Sequence, residues 1–281
     1  METRECDAAQ LYLDLMKKCL TRLIFPDIWR PTHRPSMRHQ PFSRTVYPLL
    51  TSLLAARGLK LFRYTPFDPV KRAEGIDWPQ EAHTMVGLKR LENLTKCIEE
   101  VLRKDVPGDL IETGVWRGGS CIFMRAVLKA HGERTRLVWV ADSFEGLPKP
   151  DGRYDQDIGD QFWKYKSILG VSLEEVKANF ELYDLLDEQV RFLPGWFKDT
   201  LPTAPINQLA VLRLDGDMYS STMDVLENLY SKLSPGGYAI IDDYGAVSGC
   251  KEAVEEFRSR HNITAHLERI DDSGVFWEKP G

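Results

Sequence analysis

The sequence predicts an α/β fold, a mostly parallel seven-stranded sheet with helices on both faces, and three observations predict it. Short apolar runs alternate with amphipathic helical stretches from residue 85 onward. The first run leads through a glycine-rich turn into a helix, and three later runs end in aspartate. The last two runs follow each other with no helix between them.

In chain order, Leu11, Leu13, Leu15, Met16, Cys19, Leu20, Leu23 and Ile24 recur with a mostly helical period, predicting one amphipathic helix over Ala8 to Phe25. Pro26, Pro31, Pro35 and Pro41 interrupt regular structure, and a second helical pattern runs from Tyr47 to Leu61, ending near Gly58. Residues 1–80 are expected to form an N-terminal helical cap and 81–281 the main domain. Trp29, Phe62, Tyr64 and Phe67 are candidates to line a substrate pocket, against ordinary packing or a dimer contact. A helix is predicted from Met85 to Arg103. Strands follow at Leu110-Ile111, Leu137 to Ala141, Val190 to Leu193, Leu209 to Leu214 and Tyr238 to Ile241. Helices are expected between them at Ser120 to His131, Leu173 to Leu182 and Thr222 to Leu233, and another after the last of them at Lys251 to Arg260. Thr264 to Ile270 and Gly274 to Trp277 close the sheet as an antiparallel hairpin around Asp271-Asp272-Ser273-Gly274.

Composition narrows the function classes. The 281 residues, 43% hydrophobic and 28% charged, can bury one substantial core. A net charge of −5 and a pI near 5.8 exclude nucleic acid or an anionic membrane as the main partner, since both need a concentrated basic surface. The most basic stretch, Arg30 to Arg44, reads as a solvated loop with phosphate contact as the alternative. Five cysteines without a CxxC pair point to a reducing compartment and no zinc site. With no long apolar run and no signal-peptide pattern, a cytoplasmic location is expected.

The first strand runs into Glu112-Thr113-Gly114-Val115-Trp116-Arg117-Gly118-Gly119-Ser120, whose glycines permit a tight turn and close approach of a ligand. The pattern is not G-x-G-x-x-G. Glu112 would repel a pyrophosphate and suits a cationic sulfonium amino acid. Asp142 ends the second strand, where a carboxylate can accept hydrogen bonds from both ribose hydroxyls, against a role in capping its own turn. Trp196 after the third strand is placed to flank an adenine or to pack in the core.

The fourth and fifth strands deliver Asp215-Gly216-Asp217 and Asp242-Asp243. Neighbouring strand ends lie roughly 5 Å apart. Each carboxylate pair at about 4 Å repels by about 4 kcal/mol at an effective dielectric of roughly 20. A divalent ion removes that cost, and an all-oxygen donor set suits Mg²⁺. Such an ion also acidifies and orients an alcohol for attack on a methyl sulfonium. Asp215, Asp242 and Asp243 are the expected ligands, Asp215 doubling as proton acceptor. Asp217 is the rival acceptor or a helix cap.

Thr84-Met85-Val86-Gly87 followed by Arg90-Leu91 and Asn93-Leu94, then ETGVWRGGS, ADSFEGLP, LPGWFKDTLP, LRLDGDMYSST and GGYAIIDDYG, occur in order with ordinary spacing. Through them the chain resembles the macrocin O-methyltransferase family, the sugar O-methyltransferases of macrolide and aminocoumarin antibiotic pathways. The resemblance implies a class I methyltransferase fold, S-adenosylmethionine as donor, Mg²⁺, and a deoxysugar hydroxyl on a natural product as acceptor. It also implies a homodimer built through N-terminal elements, which here means the helix near 11–25. By that similarity Met85, Glu112, Gly114 and Asp142 match donor-binding positions, with Thr84, Thr113 and Ser143 beside them. Asp215, Asp242 and Asp243 match metal ligands. Catechol methyltransferases place a lysine three residues after the first aspartate; Met218 stands there, which excludes that base. A phenol or catechol acceptor remains an alternative. An NAD-dependent oxidoreductase is a rival that leaves the acidic cluster unexplained, and a non-catalytic binding subunit is another. The polar, aromatic segment between Pro148 and Leu169 is expected to form a lid, and His83 is a candidate second base.

Overall fold

The computed structural model describes residues 7–26, 28–31, 43–64 and 66–281, with the backbone alone at 29–31 and 43–47. The N-terminal region holds α1 (Ala8–Leu20), β1 (Trp29–Pro31), α2 (Ser43–Ala55), β2 (Phe62–Tyr64) and α3 (Pro69–Glu74). Then come α4 (Leu88–Arg103), β3 (Asp109–Thr113), α5 (Gly119–Ala130), β4 (Val138–Asp142), α6 (Lys166–Leu169), α7 (Leu173–Glu181) and β5 (Val190–Pro194). The chain finishes with α8 (Phe197–Thr200), β6 (Leu209–Leu214), α9 (Tyr219–Leu229), β7 (Leu233–Ile241), α10 (Ser248–Arg260), β8 (Glu268–Arg269) and β9 (Val275–Glu278).

The main sheet has seven strands in the order β5-β4-β3-β6-β7-β9-β8. It is parallel from β5 to β7, and β9 and β8 close it antiparallel, as the missing helix between the last two runs predicted. Alternation along each strand divides the core into two layers. Leu110, Val138, Val140 and Val211 pack beneath α4 and α5. Ile111, Trp139, Leu212 and Leu214 face the opposite way, toward α9 and α10. Central β6 is buried at all six positions. In α4, Leu91, Leu94, Ile98 and Val101 recur at helical spacing and are sealed from solvent. Each contributes on the order of 1.5–3 kcal/mol through burial. Helix α5 is buried from Gly119 to Leu128 because α1 and α4 pack over it as well as the sheet.

Several boundaries differ from the periodicity. The first helix stops at Leu20, because Arg22 turns left-handed at φ 57° and Leu23 bonds back to the Lys18 carbonyl. The second runs over Ser43–Ala55 and ends before Gly58. The three-residue strands β1 and β2, which pair antiparallel, are too short to show a period. Helix α3 was legible in principle: Asp68 caps it and Pro69 occupies its first turn. The basic stretch after Arg30 falls mainly outside the described residues. No helix of the described residues is long and apolar enough to cross a membrane.

Candidate active site

Sheet register assembles the site. Thr113 pairs with Ala141 on one side and with Leu214 on the other, and Leu214 pairs with Ile241. The next residue on each strand therefore arrives at the same level: Gly114, Asp142, Asp215 and Asp242. The ladder continues through them, with Gly114 N donating to Ala141 O, Asp215 N to Thr113 O and Asp242 N to Leu214 O, each at 2.9 Å. Strand order reverses between β3 and β6, so this row occupies the switch point where open α/β sheets bind ligands. Gly114 stands at the crossing with φ 86°, and a Cβ there would lie 1.8 Å from the Asp215 carbonyl oxygen.

Beneath this row lies a charged layer in an otherwise apolar face. Arg213 on β6 pairs in register with Glu112 on β3, and both are buried. Its guanidinium contacts Glu112, donates to Asp215 Oδ2 at 3.0 Å and contacts Asp242 Oδ1. Arg90, from the first turn of α4, takes the other Asp242 oxygen and donates through Nε to Asp271 Oδ2 at 2.7 Å. Cys121 Sγ donates to the second Glu112 oxygen at 2.8 Å. Desolvation, only partly offset by Arg213, pushes Glu112 up to about 7.

The outer carboxylates have less support. One ligand oxygen from each of Asp215, Asp242 and Asp243 fits within a span of 4.8 Å. Asp243 makes no ion pair among the described residues; it accepts the Asp217 N–H at 3.3 Å. Desolvation and then Asp217, Asp215 and Asp242 hold its pKa well above the ordinary value. Desolvation and Asp242 raise Asp215 to about 6, against the pull of Arg213. Desolvation and then Asp215 raise Asp217 to about 8. Asp217 is left-handed at φ 55°, and no hydrogen bond reaches its carboxylate among the described residues. This donor set fits a hard divalent cation: three carboxylate oxygens lie within 4.8 Å of one another, and the two arginines at Asp215 and Asp242 leave Asp243 without an ion-pair partner among the described residues.

A cavity of about 420 Å³ opens above the row. Met85, Gly114, Asp142, Ser143 and Trp196 line one part of it, and Asp215, Gly216 and Asp217 another. Its remaining wall comes from the 148–169 segment, including Lys149, Arg153 and Trp163, and from Lys198 and Asp224. Among the contacts that hold that segment, two tie it to the elements carrying the site. Asp157, buried, accepts the backbone N–H groups of Tyr219 at 3.0 Å and Ser220 at 3.1 Å, capping α9 directly after the acidic loop. Trp116 Nε1 donates to the Ile168 carbonyl at 2.9 Å, linking the segment to the glycine-rich turn.

The model of the family described as macrocin-O-methyltransferase (TylF) matches residues 9–279. The chain belongs to the macrocin O-methyltransferase family. It is 51% identical over 274 residues to the demethyldecarbamoylnovobiocin O-methyltransferase of Streptomyces niveus, covering 96% of this chain and 94% of that protein. It is 53% identical over 272 residues to the 8-demethyl-8-(2,3-dimethoxy-alpha-L-rhamnosyl)-tetracenomycin-C 4'-O-methyltransferase of Streptomyces olivaceus, covering 96% and 93%. Among solved structures, the O-methyltransferase NovP superimposes with a TM-score of 0.82 at 48% identity, covering 97% of this chain and all of that one. A calicheamicin methyltransferase at 18% identity, with a TM-score of 0.54, shares the fold. The protein is an S-adenosylmethionine-dependent O-methyltransferase of the class I fold.

In this macrocin-family enzyme the residues expected at the donor divide into two groups. Met85, Gly114, Asp142, Ser143 and Trp196 reach the cavity. Asp142 there also accepts the N–H groups of Val115 and Phe144, both at 2.7 Å, so turn capping and cavity lining coexist. Ser143 Oγ donates to Gly146 O at 2.8 Å. Glu112, Thr113 and Thr84 lie behind the cavity wall: Glu112 serves Arg213 and Cys121, Thr113 is fully buried, and Thr84 accepts from Val86 N at 3.2 Å. His83 does not reach the acceptor side; its Nδ1 lies 2.7 Å from Tyr183 Oη, and desolvation holds its pKa down. The cap aromatics are not the lining either. Phe62 and Tyr64 are exposed, Phe67 lies under Arg72, and the Trp29 side chain is outside the described residues. The cavity's rings are Trp116, Trp163, Trp196 and Phe197. Sequence reasoning missed Arg90, Arg213 and Asp157. An arginine inside the apolar run LAVLRL was a usable signal, because a charge buried in a central strand demands carboxylate partners.

Proposed function

We propose that the enzyme transfers the methyl group of S-adenosylmethionine to a hydroxyl of a (deoxy)sugar carried by an antibiotic-type natural product, assisted by Mg²⁺ at Asp215, Asp242 and Asp243. One observation carries this reading: a single cavity joins the donor-type residues Asp142 and Trp196 to the convergent carboxylates. The rhamnosyl group named for the Streptomyces olivaceus relative supports a sugar acceptor. So does the wall, where Arg153 holds Asp224 through two 3.0 Å bonds and Lys198 donates to Asp151 at 3.1 Å. Paired charges and hydroxyl-bearing Ser220 and Ser221 suit a polyhydroxylated ring better than a bare phenol.

Met85, Gly114, Asp142, Ser143 and Trp196 are the residues to hold the donor. When bound, S-adenosylmethionine supplies an electrophilic methyl group and Mg²⁺ acidifies and orients the acceptor hydroxyl. The chain's own work is positioning and proton removal. Asp215, with 28% of its side chain accessible and one oxygen on Arg213, offers its other oxygen as ligand and proton acceptor. Asp217 is the second reading for the proton, favoured by its cavity position and by a carboxylate that no hydrogen bond reaches among the described residues.

Dialysis against EDTA is expected to lower turnover more than about 100-fold, with full recovery on adding Mg²⁺ and unchanged binding of S-adenosylhomocysteine. Chelator-insensitive turnover would remove the metal from the reading.

Residues 1–80 are proposed as the cap on a catalytic domain at 81–281, in a cytoplasmic homodimer. Leu13, Met16 and Leu20 of α1 are buried in the core, whereas Leu11 and Leu15 of α1, and Leu49, Leu50 and Leu53 of α2, stay exposed. Exposed leucines of this kind on the two N-terminal helices suit contact with a second copy. Light scattering is expected to give twice the 32.2 kDa of one chain; a monomer mass would sink the dimer.

A further inference from the structure

The Asp242 carboxylate is bracketed by arginines on both oxygens, Arg213 on Oδ1 and Arg90 on Oδ2. Arg213 also reaches Glu112 on the neighbouring strand β3 and Asp215 just past the end of its own strand. Arg90 reaches across to the closing hairpin: Nε and Nη2 donate to Asp271 at 2.7 and 3.3 Å. The hairpin turn sits directly on it, with a Cβ at Gly274 falling 3.4 Å from Arg90 Nε. Both guanidinium groups are mostly buried, with 15% and 3% of the side chains accessible. A guanidinium is permanently charged and its planar fork can bridge two carboxylates at once, which an ammonium cannot do with the same geometry.

Two layers of charge follow. The inner layer, the three carboxylates of Glu112, Asp242 and Asp271, is braced by the two arginines. The outer layer, Asp243, Asp217 and the free oxygen of Asp215, is left for an ion. Asp242 belongs to both layers, and its electron pairs are already shared.

Resting on the metal reading above, we propose that Arg90 and Arg213 are resident cations that keep the aspartates assembled in the absence of a divalent ion and weaken that ion's hold, so that it exchanges rather than staying fixed. A second positive group within a few ångströms of a dication repels it, and a carboxylate engaged by guanidinium donates less to the ion. Arg213 supports three carboxylates, so its removal would leave Glu112 buried and unpaired. Arg90 is the residue to change.

The test uses the full-length protein with Mn²⁺ as the probe, counted as free ion by electron paramagnetic resonance in the presence of S-adenosylhomocysteine. Arg90→Gln is expected to bind Mn²⁺ about 10-fold more tightly than the unmodified protein. Its thermal unfolding should also become more ion-dependent, falling in EDTA and recovering with Mg²⁺. Arg90→Lys keeps the charge and loses the fork, and should bind Mn²⁺ within about threefold of the unmodified protein. Equal or weaker binding by a folded Arg90→Gln would overturn the proposal. A glutamine variant that folds only with Mg²⁺ supports it, and if that variant fails under both conditions, a tenfold change in Arg90→Lys overturns it. Absence of Mn²⁺ binding by the unmodified protein would instead sink the metal reading on which it rests.

Discussion

Asp215→Asn is expected to reduce kcat by about 1,000-fold or more while leaving the affinity for S-adenosylhomocysteine within about threefold. The side chain combines two tasks that asparagine cannot perform: it presents an anionic oxygen toward the ion and can take the acceptor's proton. The shape is preserved, Arg213 retains Glu112 and Asp242, and the donor-side residues Asp142, Ser143 and Trp196 are untouched. The loss should therefore appear in turnover and not in folding. Asp217→Asn is the informative control. If Asp217 only takes the proton, its replacement lowers kcat with the Mg²⁺ concentration for half-activity unchanged, whereas Asp215→Asn alters both. Full activity in Asp215→Asn would end the assignment of that residue to ion and proton alike.

Gly114→Ala should lower the melting temperature on the order of 10 °C or prevent accumulation of soluble protein, through a loss of about 3–4 kcal/mol. The added carbon would sit 1.8 Å from the Asp215 carbonyl oxygen. Both partners are main chain, so no change of rotamer relieves the overlap. A left-handed backbone adds about 1 kcal/mol for any residue with a Cβ. The strands β3 and β6 would have to separate where their ends place Asp215, so donor binding and ion binding should fall together. A melting temperature within about 3 °C of the unmodified protein would contradict this account.

The sheet was legible because its strands are short apolar runs and its helices carry a clear 3.6-residue period; Leu91, Leu94, Ile98 and Val101 leave little choice. The row of strand-end residues was legible for the same reason, since a parallel sheet brings the first residue after each strand to one edge. Depth was not. Glu112 follows the same strand-end logic as Asp142, yet Glu112 is the last-but-one residue of its strand and points into the layer under α5, whereas Asp142 clears the sheet and reaches the cavity. Glu112 pairs with Val140, two positions before Asp142, so the two carboxylates share a face of the sheet and differ in how far along the strand they sit. Arg90 was hidden because it lies far off in sequence, 152 positions from Asp242, whereas Arg213 stands two residues before Asp215 inside an apolar strand and was open to reading. Asp157 was hidden inside a segment without periodicity, and only the folded chain brings it to the start of α9. The cap aromatics left pocket lining and ordinary packing or a dimer contact both open, because ring content alone says nothing of which way a side chain faces.

The segment over the cavity is suspended between Asp157, fixed to α9, and Ile168, fixed to Trp116. Trp163 and Lys166 lie between those anchors and line the cavity, with Lys166 also donating to Glu145 at 3.1 Å. One anchor sits at the start of α9, directly after the acidic loop, and the other on the glycine-rich turn. A substitution that loosened either anchor would therefore move this wall relative to the residues at the strand ends beneath it.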